Sequence, residues 1–212
     1  MNRPALSSAG VLLAAGVALL SLAADASTKA WARSALRDGH RITLAGGLLR
    51  LQLVVNHGAA FGIGAGYEPL IVAVSFAGVV LLGLWAFSAA SAVERFGAAL
   101  AAGGAAGNLV DRLFRPPGGL HGAVIDWIHV SFYGPTFNLA DVWLRGGILL
   151  AAAGWLWNRR RLVWGRSVSF LFEGAGLVAV EGPAGGDEGV PVAGGGGGGG
   201  DGRGEVGTAG VG

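Results

Sequence analysis

Outside its C-terminal region the chain carries seven acidic residues: Asp25, Asp38, Glu68, Glu94, Asp111, Asp126 and Asp141. Three of them (Asp25, Asp111 and Asp141) sit against long apolar runs. Asp126 lies in the apolar patch 124–132 between two such runs. An ionisable group at membrane depth costs a few kcal/mol or more, so each of the four is a functional candidate by default. The plainer reading of any single one is a helix end in the headgroup region. Four together, each with Asn, Lys or Arg nearby, ask for more.

Spacing sharpens the set. Asn108, Asp111 and Arg112 fall at i, i+3 and i+4 and share one helical face. Asn138 and Asp141 repeat the three-residue step where another apolar run begins. Asn is a good N-cap there, and a first-turn carboxylate is favoured by the helix dipole, so this pair also reads as plain capping. The chain has no cysteine, which removes disulfides, thiolate metal sites and a Cys nucleophile. His40, His57, His121 and His129 have no ligand-like spacing, and the glycines at Gly62, Gly64 and Gly66 read as a turn, not a phosphate loop. What remains is acid chemistry without a metal: two carboxylates sharing one proton, one activating water and the other protonating the leaving group.

The elements that must hold these residues are membrane elements. Of 212 residues, 52% are hydrophobic and 13% charged, against roughly a quarter charged in an average soluble domain. The mean hydropathy is +0.57. The net charge of +2 comes from arginines flanking apolar runs, not from a basic stripe, so nucleic acid is not an expected partner. A spanning helix needs about 20 mostly apolar residues. Residues 9–24, 69–90, 96–110 and 142–157 qualify or nearly do. The first run, with Ala24-Asp25-Ala26 behind it, also imitates a cleavable signal peptide. The step Gly103-xxx-Gly107 lets another helix approach the third run closely. Leu49, Leu51, Leu53 and Val55 alternate with Arg50, Gln52 and Val54, which predicts a half-buried strand. With four helices the two long polar stretches, 26–68 and 113–140, share one face of the membrane and both termini share the other. The distribution of Arg and Lys does not say which face is which. From residue 162 the chain becomes Gly/Pro/acid-rich, which predicts a membrane domain over 1–161 and a disordered tail over 162–212.

Five stretches resemble the motifs of bacterial lipoprotein signal peptidase (signal peptidase II), in that family's order. They are Asp25-Ala-Ser-Thr28-Lys29, Asn56-His-Gly58-Ala59-Ala60-Phe61-Gly62, Gly107-Asn108-Leu-Val-Asp111-Arg112, Val124-Ile-Asp126-Trp127-Ile128 and Phe137-Asn138-Leu-Ala140-Asp141. Any one is weak; five in order are strong.

The resemblance implies an all-α membrane protein with four transmembrane helices and a small extracytoplasmic β-platform built around the strand before Asn56. It implies Asp126 and Asp141 as the catalytic pair. Asn56, Asn108, Arg112 and Asn138 are implied to contact substrate or steady the pair, with Asp25, Lys29, Gly58, Phe61 and Asp111 as structural support. The implied activity is cleavage of a diacylglyceryl-modified prolipoprotein before its lipidated Cys, without metal or other cofactor. The implied setting is the bacterial cytoplasmic (inner) membrane, as a multi-pass monomer in contact with membrane lipid. Both termini are then cytoplasmic, the site faces outward, and the first run stays attached as a helix. Ala26 stands where that family usually has Gln, Trp127 where it has Phe, and residues 112–126 form a longer stretch than usual. Arg145, four residues after Asp141 and on its face, either points to the membrane interface or biases which Asp holds the shared proton. Two other classes stay in view: a metal-dependent lipid phosphotransferase, and a small transporter or non-enzymatic scaffold.

Overall fold

A computed structural model describes residues 8–58 and 66–174, with side chains as far as 160. The described residues form helix α1 (Ser8–Ala35), strands β1 (Arg41–Leu44) and β2 (Leu49–Asn56), helices α2 (Glu68–Ser88) and α3 (Ala92–Phe114), strands β3 (Val124–Val130) and β4 (Thr136–Phe137), and helix α4 (Leu139–Gly174). The chain divides after Phe170, within α4, and the packing and the site below concern the first unit.

The expected helices are present, and α1, α3 and α4 are longer than their apolar runs, while α2 is about as long as its own. Helix α1 does not stop at Asp25. It carries Asp25 and Lys29 through as an i,i+4 ion pair of 2.6 Å, both side chains almost fully buried. Paired charges therefore extend a helix that unpaired ones would end. Helix α4 likewise continues past the arginines at 159–161 to Gly174, beyond the boundary at 161 set by composition. Residues 162–172 keep Leu, Val, Trp and Phe, and nothing before Gly174 forces the backbone out of the helix. The expectation of disorder over 175–212 falls outside the described residues.

Helix α3 is the packing hub. Its small residues let backbones approach: an added methyl at Gly97 would meet Ala151 N at 2.5 Å, and one at Gly104 would meet Ala140 O at 2.5 Å. The Gly103–Gly107 step does the same toward α1, against Ala18 and Asp25. Ser91 caps the helix by accepting from Glu94 N at 3.2 Å, while buried Glu94 accepts from Ala90 N (3.1 Å) and Trp85 Nε1 (2.8 Å). Large apolar side chains point outward instead: Leu19 and Leu20 on α1, Phe76 and Leu81 on α2, Leu149 and Trp157 on α4 are all exposed. Helices Ser8–Ala35 and Glu68–Ser88 and the stretch Leu139–Arg160 are long and apolar enough to cross a membrane. Helix α3 falls short because Glu94-Arg95 and Asp111-Arg112 bound its Ala/Gly-rich apolar run at 96–110.

The four strands form one antiparallel sheet in the order β1-β2-β3-β4. Strand β2 is the alternating segment read from the sequence. Strand β3 is the 124–132 patch, where β-branched Val124, Ile125, Ile128 and Val130 favour extended backbone. The β2–β3 register shifts between Leu51 and Val54, leaving Gln52 and Leu53 opposite Trp127 alone. Beyond this bulge Val54 pairs with Asp126 and Asn56 with Val124, so Asn56 lies diagonally across from Asp126 on the same face.

Candidate active site

Asp126 and Asp141 arrive from different elements, one in mid-strand on β3 and one in the first turn of α4. Asn138 joins them. Its side chain donates to Asp126 Oδ1 at 2.7 Å and accepts from Asp141 N at 3.0 Å, while its own N–H donates to Asp141 Oδ2 at 3.2 Å. The last two bonds form a reciprocal N-cap of α4, so the capping reading of this pair is correct and incomplete. The same residue that starts the helix also fixes the strand carboxylate.

The remaining oxygens are held by amides. Asn56 Nδ2 donates to Asp126 Oδ2 at 2.9 Å, and Asn56 Oδ1 accepts from Gly58 N at 3.0 Å, which locks the orientation of the amide. Asn108 Nδ2 donates to Asp141 Oδ1 at 3.0 Å, and its Oδ1 accepts from Asn138 Nδ2 and Lys29 Nζ, each at 3.0 Å. Thus all four carboxylate oxygens accept a neutral N–H, and three Asn side chains set their directions. Burial pushes the Asp126 carboxyl up to about 6; the Asn56 bond opposes this and the neighbouring Asp141 charge adds to it.

Beneath the pair sits a charged anchor. Lys29 Nζ meets Asp25 Oδ2 at 2.6 Å and Asp111 Oδ2 at 3.0 Å, and Arg115 Nε donates to Asp111 Oδ1. These two acids also reach the backbone on either side of the site, Asp25 through its second oxygen and Asp111 through the oxygen that already meets Lys29. Asp25 Oδ1 accepts from Ala140 N at 2.9 Å, the residue before Asp141. Asp111 Oδ2 accepts from Ile125 N at 3.3 Å, the residue before Asp126. One cation and two carboxylates therefore tie α1 and α3 to the two chain positions that carry the pair. Burying such charges is tolerable because each is paired and hydrogen-bonded.

A polar cleft opens over the pair, lined by Asn56, Asn108, Arg112, Asp126 and Asp141, with Tyr133, Phe137 and Arg145 at its wall. Arg112 Nη2 donates to Gly58 O, and its Nη1 is buried with no partner among the described residues. Arg145 turns to the phenol of Tyr133, donating to its oxygen at 3.0 Å. Of the residues singled out in the sequence, Asp25, Lys29, Asn56, Gly58, Asn108, Asp111, Arg112, Asp126, Asn138 and Asp141 come together here. Phe61 lies outside the described residues. Asp38 is exposed on a turn, and Glu94 is engaged in capping between α2 and α3. Sequence reasoning missed Arg115, although its i+4 step from Asp111 was available, and it missed Tyr133, which only the turn after β3 brings to the cleft.

Residues 17–157 match the family described as Signal peptidase (SPase) II. The chain belongs to the signal peptidase II family. Among its relatives are the lipoprotein signal peptidases of Mycolicibacterium smegmatis and Bifidobacterium adolescentis. The first is 39% identical over 138 residues, which is 65% of this chain and 58% of that protein. The second is 40% identical over 135 residues, 63% of this chain and 71% of that protein. Two solved bacterial membrane enzymes share the fold. One superposes with a TM-score of 0.60 at 23% identity over 75% of this chain and 94% of its own; the other reaches 0.57 at 24% over 74% and 97%. The matched span contains all five signal peptidase II motifs and every residue of the pair and its anchor.

Proposed function

We propose that this chain is an aspartic endopeptidase that removes signal peptides from diacylglyceryl-modified prolipoproteins, cutting just before the lipidated Cys. The observation that carries the reading is the Asn138 bridge, which holds two acids from separate elements over one cleft within a signal peptidase II fold. Asp126, with its carboxyl near 6, is the proton holder and Asp141 is the carboxylate base. Water gives a proton to Asp141 as its oxygen bonds to the scissile carbonyl carbon, and Asp126 protonates the carbonyl oxygen. Asp126 then takes a proton back from the resulting diol while Asp141 gives one to the departing nitrogen, so the pair ends as it began. Arg112 lines the cleft, and its Nη1, without a partner among the described residues, donates to the peptide and steadies it.

In this reading all four helices cross the cytoplasmic membrane of a bacterium, α3 shielded by its neighbours, and the chain works as a monomer. The sheet and the site face outward and both termini lie in the cytoplasm. The first helix stays attached, since Asp25 and Lys29 belong to the anchor. The substrate's acyl chains remain in the bilayer while its peptide reaches the cleft. Asp126 and Asp141 are spent on amide donors and on each other's neighbourhood, which speaks for the peptidase over a metal-dependent phosphotransferase. The test is to incubate the purified protein with a lipidated prolipoprotein peptide and map the cut by mass spectrometry. Cleavage immediately before the modified Cys supports the proposal; an intact peptide contradicts it.

A further inference from the structure

Both turns at one end of the sheet are built from uncharged residues. The β1–β2 turn is Ala45-Gly46-Gly47-Leu48, and the β3–β4 turn is Ser131-Phe132-Tyr133-Gly134-Pro135. Three strands end level there, with Leu44 paired to Leu49 and Leu49 to Val130. Ser131 joins the turns, its N–H donating to Leu48 O at 3.0 Å and its hydroxyl to Gly47 O. The result is a single tip, about 13 Å along β3 from Asp126. Three large apolar side chains stand out of it: Phe132 is 82% exposed, Leu48 49% and Leu44 44%. One exposed leucine is ordinary on any protein. Three on one tip without a charge form a patch that asks for a partner.

The height of the tip is set by a contact to α4. Tyr133, beside Phe132, accepts from Arg145 Nη1 at 3.0 Å, its ring centroid 6.0 Å from the guanidinium carbon. The turn itself is fixed, because the N–H groups of Tyr133 and Gly134 both donate to Val130 O. Arg145 is roughly 9 Å along the axis from the start of α4, and its side chain leans back toward that start. Exposed apolar side chains on α4 begin at Val142, before Arg145, and continue through Ile148 and Leu149. The bond therefore ties the tip to a level where a helix apolar enough to cross a membrane already presents apolar side chains. We propose that the tip is an interfacial membrane anchor: Phe132, Leu48 and Leu44 enter the headgroup–acyl boundary of a phospholipid leaflet, and the Tyr133–Arg145 contact sets their depth. Irregular backbone avoids hydrocarbon, so the turns stay at headgroup level and only side chains enter. A tyrosine and a snorkelling arginine suit that depth. The inserted tip holds the sheet, and with it Asp126, at a fixed height over the bilayer. The inference rests on the membrane placement of the chain and not on the peptidase reading.

The chain has no cysteine, so a single introduced one can be labelled cleanly. Phe132→Cys, Leu48→Cys and Asp38→Cys are made in the full chain, labelled with a fluorophore and reconstituted in phosphatidylcholine vesicles at high lipid-to-protein ratio. Asp38, exposed on the turn beyond α1, is the water-facing reference. Phospholipid with a nitroxide high on its acyl chain quenches from the bilayer, and iodide quenches from water. We expect labels at 132 and 48 to be quenched by the lipid more strongly than the label at 38, on the order of threefold, and by iodide correspondingly less. Phe132→Ser in the Leu48→Cys protein should weaken lipid quenching, which shows that the native side chain and not the label holds the tip. Arg145→Leu in the Phe132→Cys protein should raise iodide quenching as the depth-setting contact is lost. Equal quenching at 132 and 38 by both agents overturns the proposal. Protection from iodide without lipid quenching also overturns it, since protein, such as a second copy of the chain, then covers the tip. Lipid quenching at 48 that survives Phe132→Ser unchanged overturns the anchoring role of Phe132, and iodide quenching at 132 unchanged by Arg145→Leu overturns that of the contact. No arm reads cleavage, so failure here and failure of the peptidase reading are told apart.

Discussion

Asn138 donates to Asp126 at 2.7 Å while its own oxygen caps the backbone of Asp141, so one fully buried amide sets the helix start and the spacing of the two acids. The two duties can be separated. Asn138→Ala removes both the cap and the bridge and should cost about 1–2 kcal/mol of stability together with most activity. Asn138→Ser restores a capping oxygen but is too short to bridge. Thermal unfolding of the Ser variant should return toward wild type while its turnover stays low. Recovery of turnover along with stability would show that the bridge to Asp126 is dispensable.

Lys29 is the only ammonium between Asp25 and Asp111 and is buried with both. Lys29→Met leaves Asp25 buried without a cation and Asp111 with Arg115 alone, which should destabilise by about 3–5 kcal/mol. Because those acids also hold Ala140 N and Ile125 N, activity should fall even in the fraction that stays folded. Unfolding by denaturant in mild detergent measures the first effect. A variant as stable as wild type would mean the anchor is not carrying the site.

Asp126 should make the reaction acid-favouring. Its carboxyl is raised to about 6 by burial, so the protonated form dominates below that pH and is lost above it. The proposed mechanism needs that proton in the free enzyme, so kcat/KM should decline with rising pH through an apparent value near 6. The sign for stability is the same: a raised carboxyl favours the fold below its unfolded value near 4 and loses that contribution as pH rises toward 6. A kcat/KM that rises through this window would contradict the proton assignment.

Which polar residues meet at the cleft was more legible in the sequence than the bounds of the elements that carry them. Asn108 with Asp111 and Asn138 with Asp141 were legible as i, i+3 pairs, and those spacings survive folding, whereas Asn56 and the pairing of Asp126 with Asp141 came only from the resemblance to the signal peptidase II motifs. The ends of α1 were not. Asp25 and Lys29 look like a helix terminus in one dimension, and only their pairing with Asp111 on α3 explains why the helix runs through them. Strand β3 was visible as apolar but not as a strand, since its first residues are buried on both faces and show no alternation. The bulge opposite Trp127 aligns Asn56 with Asp126 and has no signature in either strand's sequence. Trp127, unusual for its position, packs edge-on against Trp31 of α1 at 5.5 Å, a contact no local pattern announces.

The pair itself is the central claim, and the initial cleavage rate of a lipidated prolipoprotein at equal amounts of folded enzyme tests it most directly. An amide at 126 presents an N–H to either Asn56 Nδ2 or Asn138 Nδ2, both already donors, so Asp126→Asn should lose some stability and equal folded amounts matter. Asp38→Asn, on an exposed turn away from the cleft, is the control and should stay active. Asp126→Asn and Asp141→Asn should each lower the rate by at least on the order of 10³-fold, and the double variant should be scarcely worse, as expected of groups that act as one unit. A near wild-type rate in either single variant would contradict the assignment and leave Asp111 as the next acid to test.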